Sequence, residues 1–191
     1  MKVITEENLT SWRRHLHQNP ELSLEEHKTK EFIASVLKES GIEYQETLET
    51  GLVVIFKASV ETKDTILFRA DIDALPITEE NNVDFKSNND GVMHACGHDG
   101  HTAMALGACM ILNENRDKLK GTVKIFFQPG EETPGGALPM IEEGCMENPK
   151  VDAVIGLHKV INCFRLTIIS FCNSICNFFN SLCNKFSNFF V

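Results

Sequence analysis

Thr65-Ile66-Leu67-Phe68-Arg69-Ala70-Asp71-Ile72-Asp73 is a β-branched and aromatic run that stops on two carboxylates. Thr65 to Ala70 has the length and residue types of a strand, and polar residues follow at its carboxyl end. Two later stretches close in the same way. Thr122 to Gln128 is a strand closed by Gln128-Pro129-Gly130-Glu131-Glu132, and Ala153 to Leu157 is one closed by Gly156-Leu157-His158. Ala103 to Leu112 reads as a buried helix and Ala137 to Glu143 as a short one. Upstream, Thr5 caps a first helix that runs through Trp12 and Leu16 and stops before Pro20. Ser23 and Glu26 have capping-box spacing, ahead of a second helix carrying Phe32, Ile33, Val36 and Leu37 and ended by Gly41. Ile42 to Gln45 and Leu52 to Lys57 are further strands. Strands alternating with helices predict an α/β fold, a mixed sheet flanked by helices. Open sheets of this kind bind ligands at the carboxyl ends of their strands.

The densest chemistry lies in Met93-His94-Ala95-Cys96-Gly97-His98-Asp99-Gly100-His101. Cys96 and His98 flank a glycine, so a bend aims both at one ion. Thiolate and imidazole suit zinc, and with carboxylates also manganese, cobalt or nickel. A single His here reads most simply as solvated; the cluster reads as a metal site because the strand ends supply further ligands. Glu131 and Glu132 follow an apolar strand. In an extended segment they point opposite ways, one to a metal ion and the other to water, whose proton it accepts and passes to a leaving amine. His158, taken alone, reads as a hydrogen-bonded His at a strand end.

Composition bounds the function. The 191 residues carry 18 Lys and Arg against 27 Asp and Glu, a formal charge of −9, which argues against a nucleic-acid-binding domain. An apolar fraction of 42% provides for a packed core rather than a disordered chain. The amino terminus lacks the pattern of a secretory signal. Cys109 reads as a small core residue in an apolar helix.

Five segments occur in order: Arg13-Arg14-His15-Leu16-His17-Gln18-Asn19-Pro20-Glu21-Leu22-Ser23, Arg69 to Ile77, His94 to His101, Phe127 to Glu132, and Gly156 to His158. Together they resemble the metal-dependent amidohydrolases of the aminoacylase, hippurate hydrolase and indoleacetyl-amino-acid hydrolase group, within the zinc-exopeptidase clan. The resemblance covers about residues 11–158 and leaves the substrate open. It implies a zinc-exopeptidase-like catalytic domain that hydrolyses the amide bond of N-acyl amino acids with two divalent ions, zinc or manganese, with cobalt or nickel as alternatives. By resemblance, Cys96, His98, Glu132 and His158 are metal ligands, Glu131 is the general base, and Asp71 is a carboxylate that orients the site. His94, Asp99 and His101 are then expected as hydrogen-bond partners of the ligands. Gly130 stands where relatives usually have Ala, with a looser turn as the expected effect. A thiolate ligand needs reducing conditions, which implies the cytoplasm. The expected partner is a small N-acyl amino acid, with neither nucleic acid nor membrane.

Residues 159–191 read as a different text. They hold 7 of the 13 Phe, 4 of the 7 Cys and 6 Asn, with no Gly, Pro, Ala, Asp or Glu, and a formal charge of +3. Phe164, Ile168, Phe171, Ile175, Phe178 and Leu182 follow coiled-coil spacing, but Asn, Ser, Cys and Phe are mediocre helix formers. Relatives are about twice as long and continue into a smaller dimer-forming domain and a last His ligand. The expectation is that 159–191 derive from a frameshift or gene disruption, and that residues 1–158 are the amino-terminal part of the catalytic domain. On that view the chain is truncated, poorly soluble and of negligible amidase activity. The alternative is a non-catalytic metal-binding fragment whose tail mediates an interaction.

Overall fold

A computed structural model describes residues 4–58, 64–160 and 163–169, with backbone alone for 157–160 and 163–169. The first helix, α1 (Glu6–Gln18), starts as its sequence predicts: Thr5 accepts from the Asn8 N–H while the Asn8 side chain bonds back to Thr5. The second, α2 (His27–Glu39), does not. Its N-cap is Glu26, with no side-chain capping bond. Ser23 turns away from the helix and donates to Asp73 Oδ2 at 2.7 Å. Tertiary partners outcompete the local cap here, because both side chains are needed elsewhere.

Six strands form one sheet: β1 (Tyr44–Thr47), β2 (Gly51–Phe56), β3 (Thr65–Asp71), β4 (Thr122–Gln128), β5 (Ala153–Val160) and β6 (Cys163–Ile169), in the order β1-β2-β4-β3-β5-β6. The central three, β4, β3 and β5, run parallel, and the outer pairings are antiparallel. Central parallel strands are covered on both faces and therefore read as apolar runs. Accordingly every residue of β4 is buried, and β3 is buried except at Arg69. β1 lies two residues beyond the expected Ile42 to Gln45. Ile42 is buried in the core instead, directly after α2.

One face of the sheet packs on α2 and on α3 (His98–Glu114), with Phe56, Phe68, Phe127, Ile33, Leu37 and Leu106 in its core. Cys109 belongs to this core, fully buried. The other face is smaller: Val53, Leu67 and Phe126 pack against Met140 of α4 (Ala137–Glu142). The mixed sheet flanked by helices is thus the observed architecture.

The helix expected over Ala103 to Leu112 begins earlier, at His98. Gly97 turns the chain at φ 83°, and its carbonyl accepts from the Gly100 and His101 N–H groups. His98 and His101 therefore sit on the first turn of this helix, and His94 precedes it. Of the Phe-rich carboxyl-terminal segment, Cys163–Ile169 is strand β6, antiparallel to β5. The proposed heptad positions from Phe171 onward lie outside the described residues.

Candidate metal centre

Parallel pairing of β3 with β4, in the register Asp71 to Gln128, brings two strand ends to the same level. The first turn of α3 approaches them. One sulfur of Cys96, one nitrogen of His98 and one oxygen of Glu132 lie within 4.8 Å of one another. His98 presents Nδ1 to Asp73, 2.9 Å from the carbonyl and 3.1 Å from Oδ1. Both are acceptors, so Nδ1 carries the proton and Nε2 is left to face the site. Nε2 lies 3.8 Å from Glu132 Oε1 and 3.9 Å from Glu131 Oε2.

The electrostatics show what the cluster lacks. Burial lowers the His98 pKa, but the bond to Asp73 and the charges of Asp71, Asp73 and Glu131 outweigh it and raise the value to about 9. Burial pushes the Cys96 thiol up to about 12, reinforced by Glu132, Glu131 and Asp71. Both groups hold protons against an excess of negative charge. Glu132 Oε1 is buried with no hydrogen-bond partner, a costly state unless something else satisfies it. A thiol, an imidazole Nε2 and an orphaned carboxylate oxygen fit a divalent transition-metal ion, which would supply positive charge and favour the thiolate.

Asp71, His98 and His101 also lie within metal-holding distance of one another, yet this group is already satisfied. Asp71 Oδ1 is 2.5 Å from His101 Nδ1, and Oδ2 accepts from Arg69 Nη1 at 2.6 Å. Burial would raise the Asp71 pKa; His101, His98 and Arg69 overcome it and hold the value at about 2. A guanidinium so close disfavours a second cation. Arg69 also donates from Nε to Gln128 Oε1 at 2.8 Å, and its Nη2 lies 4.0 Å from Glu131 Oε1.

Other residues of the cluster do not behave as expected. Asp99 bonds Arg13 and His17 rather than a ligand. His94 is buried with neither ring nitrogen hydrogen-bonded, and burial lowers its pKa to about 4. His101 bonds Asp71 and not His98. Glu131 and Glu132 do not alternate along an extended segment: β4 stops at Gln128 and both residues lie in a turn. That turn is not loose. Gly130 sits at φ 61°, its N–H donates to Glu26 Oε1 at 2.8 Å, and its carbonyl accepts from the Gly135 and Gly136 N–H groups. His158 stands in β5 two residues beyond Gly156, the pairing partner of Arg69, as Asp71 stands two beyond Arg69 in β3. Its side chain lies outside the described residues. Sequence reasoning gave no role to Asp73 or Glu26. Asp73 had one signal, a second carboxylate on the same strand end; buried Glu26 looked like a helix cap.

Known proteins resemble this chain in sequence and in fold. The family described as Peptidase family M20/M25/M40 matches residues 67–165. An N-acetyl-L-cysteine deacetylase of Bacillus subtilis is 50% identical over 154 residues, 80% of this chain and 36% of the relative. An N-acyl-L-amino acid amidohydrolase of Geobacillus stearothermophilus is 45% identical over 153 residues, 79% of this chain and 40% of the relative. The crystal structure of a dinuclear metal-binding M20 peptidase from Bacillus subtilis superimposes with a TM-score of 0.77 at 44% identity, over 81% of this chain and 43% of that one. The chain spans 36–40% of the length of these two curated relatives. With the matched segment spanning β3 to β5 and the whole of α3, the chain belongs to the peptidase family M20/M25/M40.

Proposed function

We propose that this chain carries part of the active site of a metal-dependent amidohydrolase acting on N-acyl amino acids. The observation that carries the reading is the orphaned Oε1 of Glu132 beside the Cys96 thiol and the His98 Nε2. Cys96, His98 and Glu132 would hold the ion, with His158 as a further ligand from β5. A divalent ion bound there polarises an amide carbonyl and acidifies water. Glu131 is the general base. Its side chain is 40% exposed and its Oε2 faces His98, so it reaches water at the site, accepts its proton and returns it to the departing nitrogen. Arg69, anchored on Asp71 and Gln128, borders the same carboxylate. The names of the relatives support acylated amino acids as the substrate class.

The finer parts of this reading rest on sequence. The thiol ligand suits a reducing compartment such as the cytoplasm. Among the described residues no helix is long and apolar enough to cross a membrane. The change in composition after His158 supports the segment beyond the family match, residues 166–191, being foreign to the family, and the chain alone turning over substrate negligibly.

Metal content and hydrolysis of N-acetyl amino acids test the proposal, measured on this chain beside a version carrying a relative's carboxyl half. The expected result is metal binding by both and turnover only by the extended one. Absence of metal binding by the folded chain would sink it.

A further inference from the structure

Glu26 is fully buried, though it lies far from the metal donors in sequence. Its Oε1 accepts from the Gly130 N–H at 2.8 Å and its Oε2 from the hydroxyl of buried Thr50 at 2.7 Å. It stands at the N-cap of α2 without capping that helix through its side chain. A carboxylate is costly to bury, and the helix it precedes does not use it. Its hydrogen bonds beyond its own segment run to Thr50, just before β2, and to the turn that bears Glu131 and Glu132.

That turn is gripped closely. A Cβ on Gly51 would lie 3.1 Å from Pro129 Cδ, and one on Gly136 would lie 1.9 Å from the Pro129 carbonyl oxygen. At Glu132 the backbone N–H donates to Asp73 Oδ2 at 2.9 Å. Between these points the turn's backbone is bonded by a side chain from another part of the chain, Glu26 to Gly130. The Glu26 carboxylate thus links the start of α2 and Thr50 to the residue preceding Glu131. We infer that Glu26 is a positioning residue that sets the Glu131–Glu132 turn against Cys96 and His98 by anchoring the Gly130 N–H. This rests on the proposed assignment of Cys96, His98 and Glu132 as metal ligands.

Cobalt(II) titration of the purified full chain tests it, read by the thiolate-to-cobalt charge-transfer band and by the ligand-field spectrum. Glu26→Gln keeps a carbonyl oxygen at the same reach and is expected to bind within about threefold of wild type. Glu26→Asp keeps the charge but shortens the arm, and Glu26→Ala removes it. Both are expected to weaken cobalt about 10- to 100-fold, the usual cost of losing a group that orients ligands, with an altered ligand-field spectrum. If Glu26→Ala does not fold, the contrast between Gln and Asp decides. Ile33→Val, a destabilising change in the core away from the turn, is expected to leave affinity and spectrum unchanged. Wild-type affinity and spectrum in folded Glu26→Asp would overturn the positioning role, provided Cys96→Ser abolishes the charge-transfer band. A band unaffected by Cys96→Ser would instead overturn the ligand assignment, and the inference with it.

Discussion

Asp73 holds Glu132 by its backbone: Oδ2 accepts the Glu132 N–H at 2.9 Å, while Oδ1 lies 3.1 Å from His98 Nδ1. One buried carboxylate therefore fixes two of the three residues proposed to hold the metal. It is itself steadied by the Ser23 hydroxyl. Asp73→Asn keeps the shape but removes the charge and half of the acceptor capacity. It is expected to lower zinc or cobalt affinity about 10- to 100-fold, measured by calorimetric titration, with the fold retained by circular dichroism. Unchanged affinity would contradict the bridging role.

His17 joins α1 to two other segments, with Nδ1 2.8 Å from Asp99 Oδ2 and Nε2 3.0 Å from Glu79 Oε1. Burial lowers its pKa, but the bonds to and charges of Asp99 and Glu79 prevail and raise it above 6.5. A folded-state pKa above the unfolded value contributes stability that is complete below pH 6.5 and fades as pH rises through the folded pKa. The melting temperature of the wild type should therefore fall more steeply above pH 6.5 than that of His17→Gln. His98 titrates in both proteins and cancels in the comparison, and His94, lowered to about 4, titrates below this window. Parallel curves would remove His17 from the account.

Gly130 adopts a left-handed backbone conformation in which a Cβ is strained. A Cβ there would stand 2.8 Å from Leu24 Cδ2, and φ 61° is unfavourable for any residue with a Cβ. Gly130→Ala should cost about 1–2 kcal/mol in urea denaturation. Leu24→Ala in the same chain should recover the steric part, because the clash is with the far end of a flexible side chain.

Lys124 is a buried cation on central strand β4, 1% exposed. Its Nζ donates to the carbonyls of Cys145 at 2.8 Å and Glu147 at 2.6 Å. Burial lowers its pKa against the pull of Cys145 and Glu147. Lys124→Met fills the same space but strands two carbonyls. A loss of about 1–3 kcal/mol is expected, with faster amide exchange in residues 144–151. Protection equal to wild type would show that the segment is held by other means.

Much of the architecture was legible because the central strands are buried on both faces. Such strands leave continuous apolar runs, and polar residues at their ends mark where the runs stop. Thr122–Gln128 was read to the residue for that reason. Boundaries set by tertiary bonds were not legible. Ser23 and Glu26 have the spacing of a cap, but their partners, Asp73 and Gly130, lie 50 and 104 residues away in sequence. The cluster around Cys96 and His98 was legible as chemistry, since its residue types are rare together. That Asp73 rather than Asp71 bonds the His98 ring was not, because residues two apart read alike in a strand, and only the end of β3 at Asp71 separates them.

The parallel pairing of β3 and β4 makes the proposed metal centre a gauge of strand register. Asp73 follows β3 directly and Glu132 follows β4, and the bond between them exists only when Asp71 lies beside Gln128. A slip of one residue would send each side chain to the opposite face and pull the donors apart. Parallel strands need a long crossover and assemble late, so the donors converge only once that crossover, α3 included, is in place. An ion that binds only the converged donors adds its binding free energy to the correctly registered sheet alone. Metal affinity thereby becomes a proofreader of the topology, rewarding one alignment of the chain over its near neighbours.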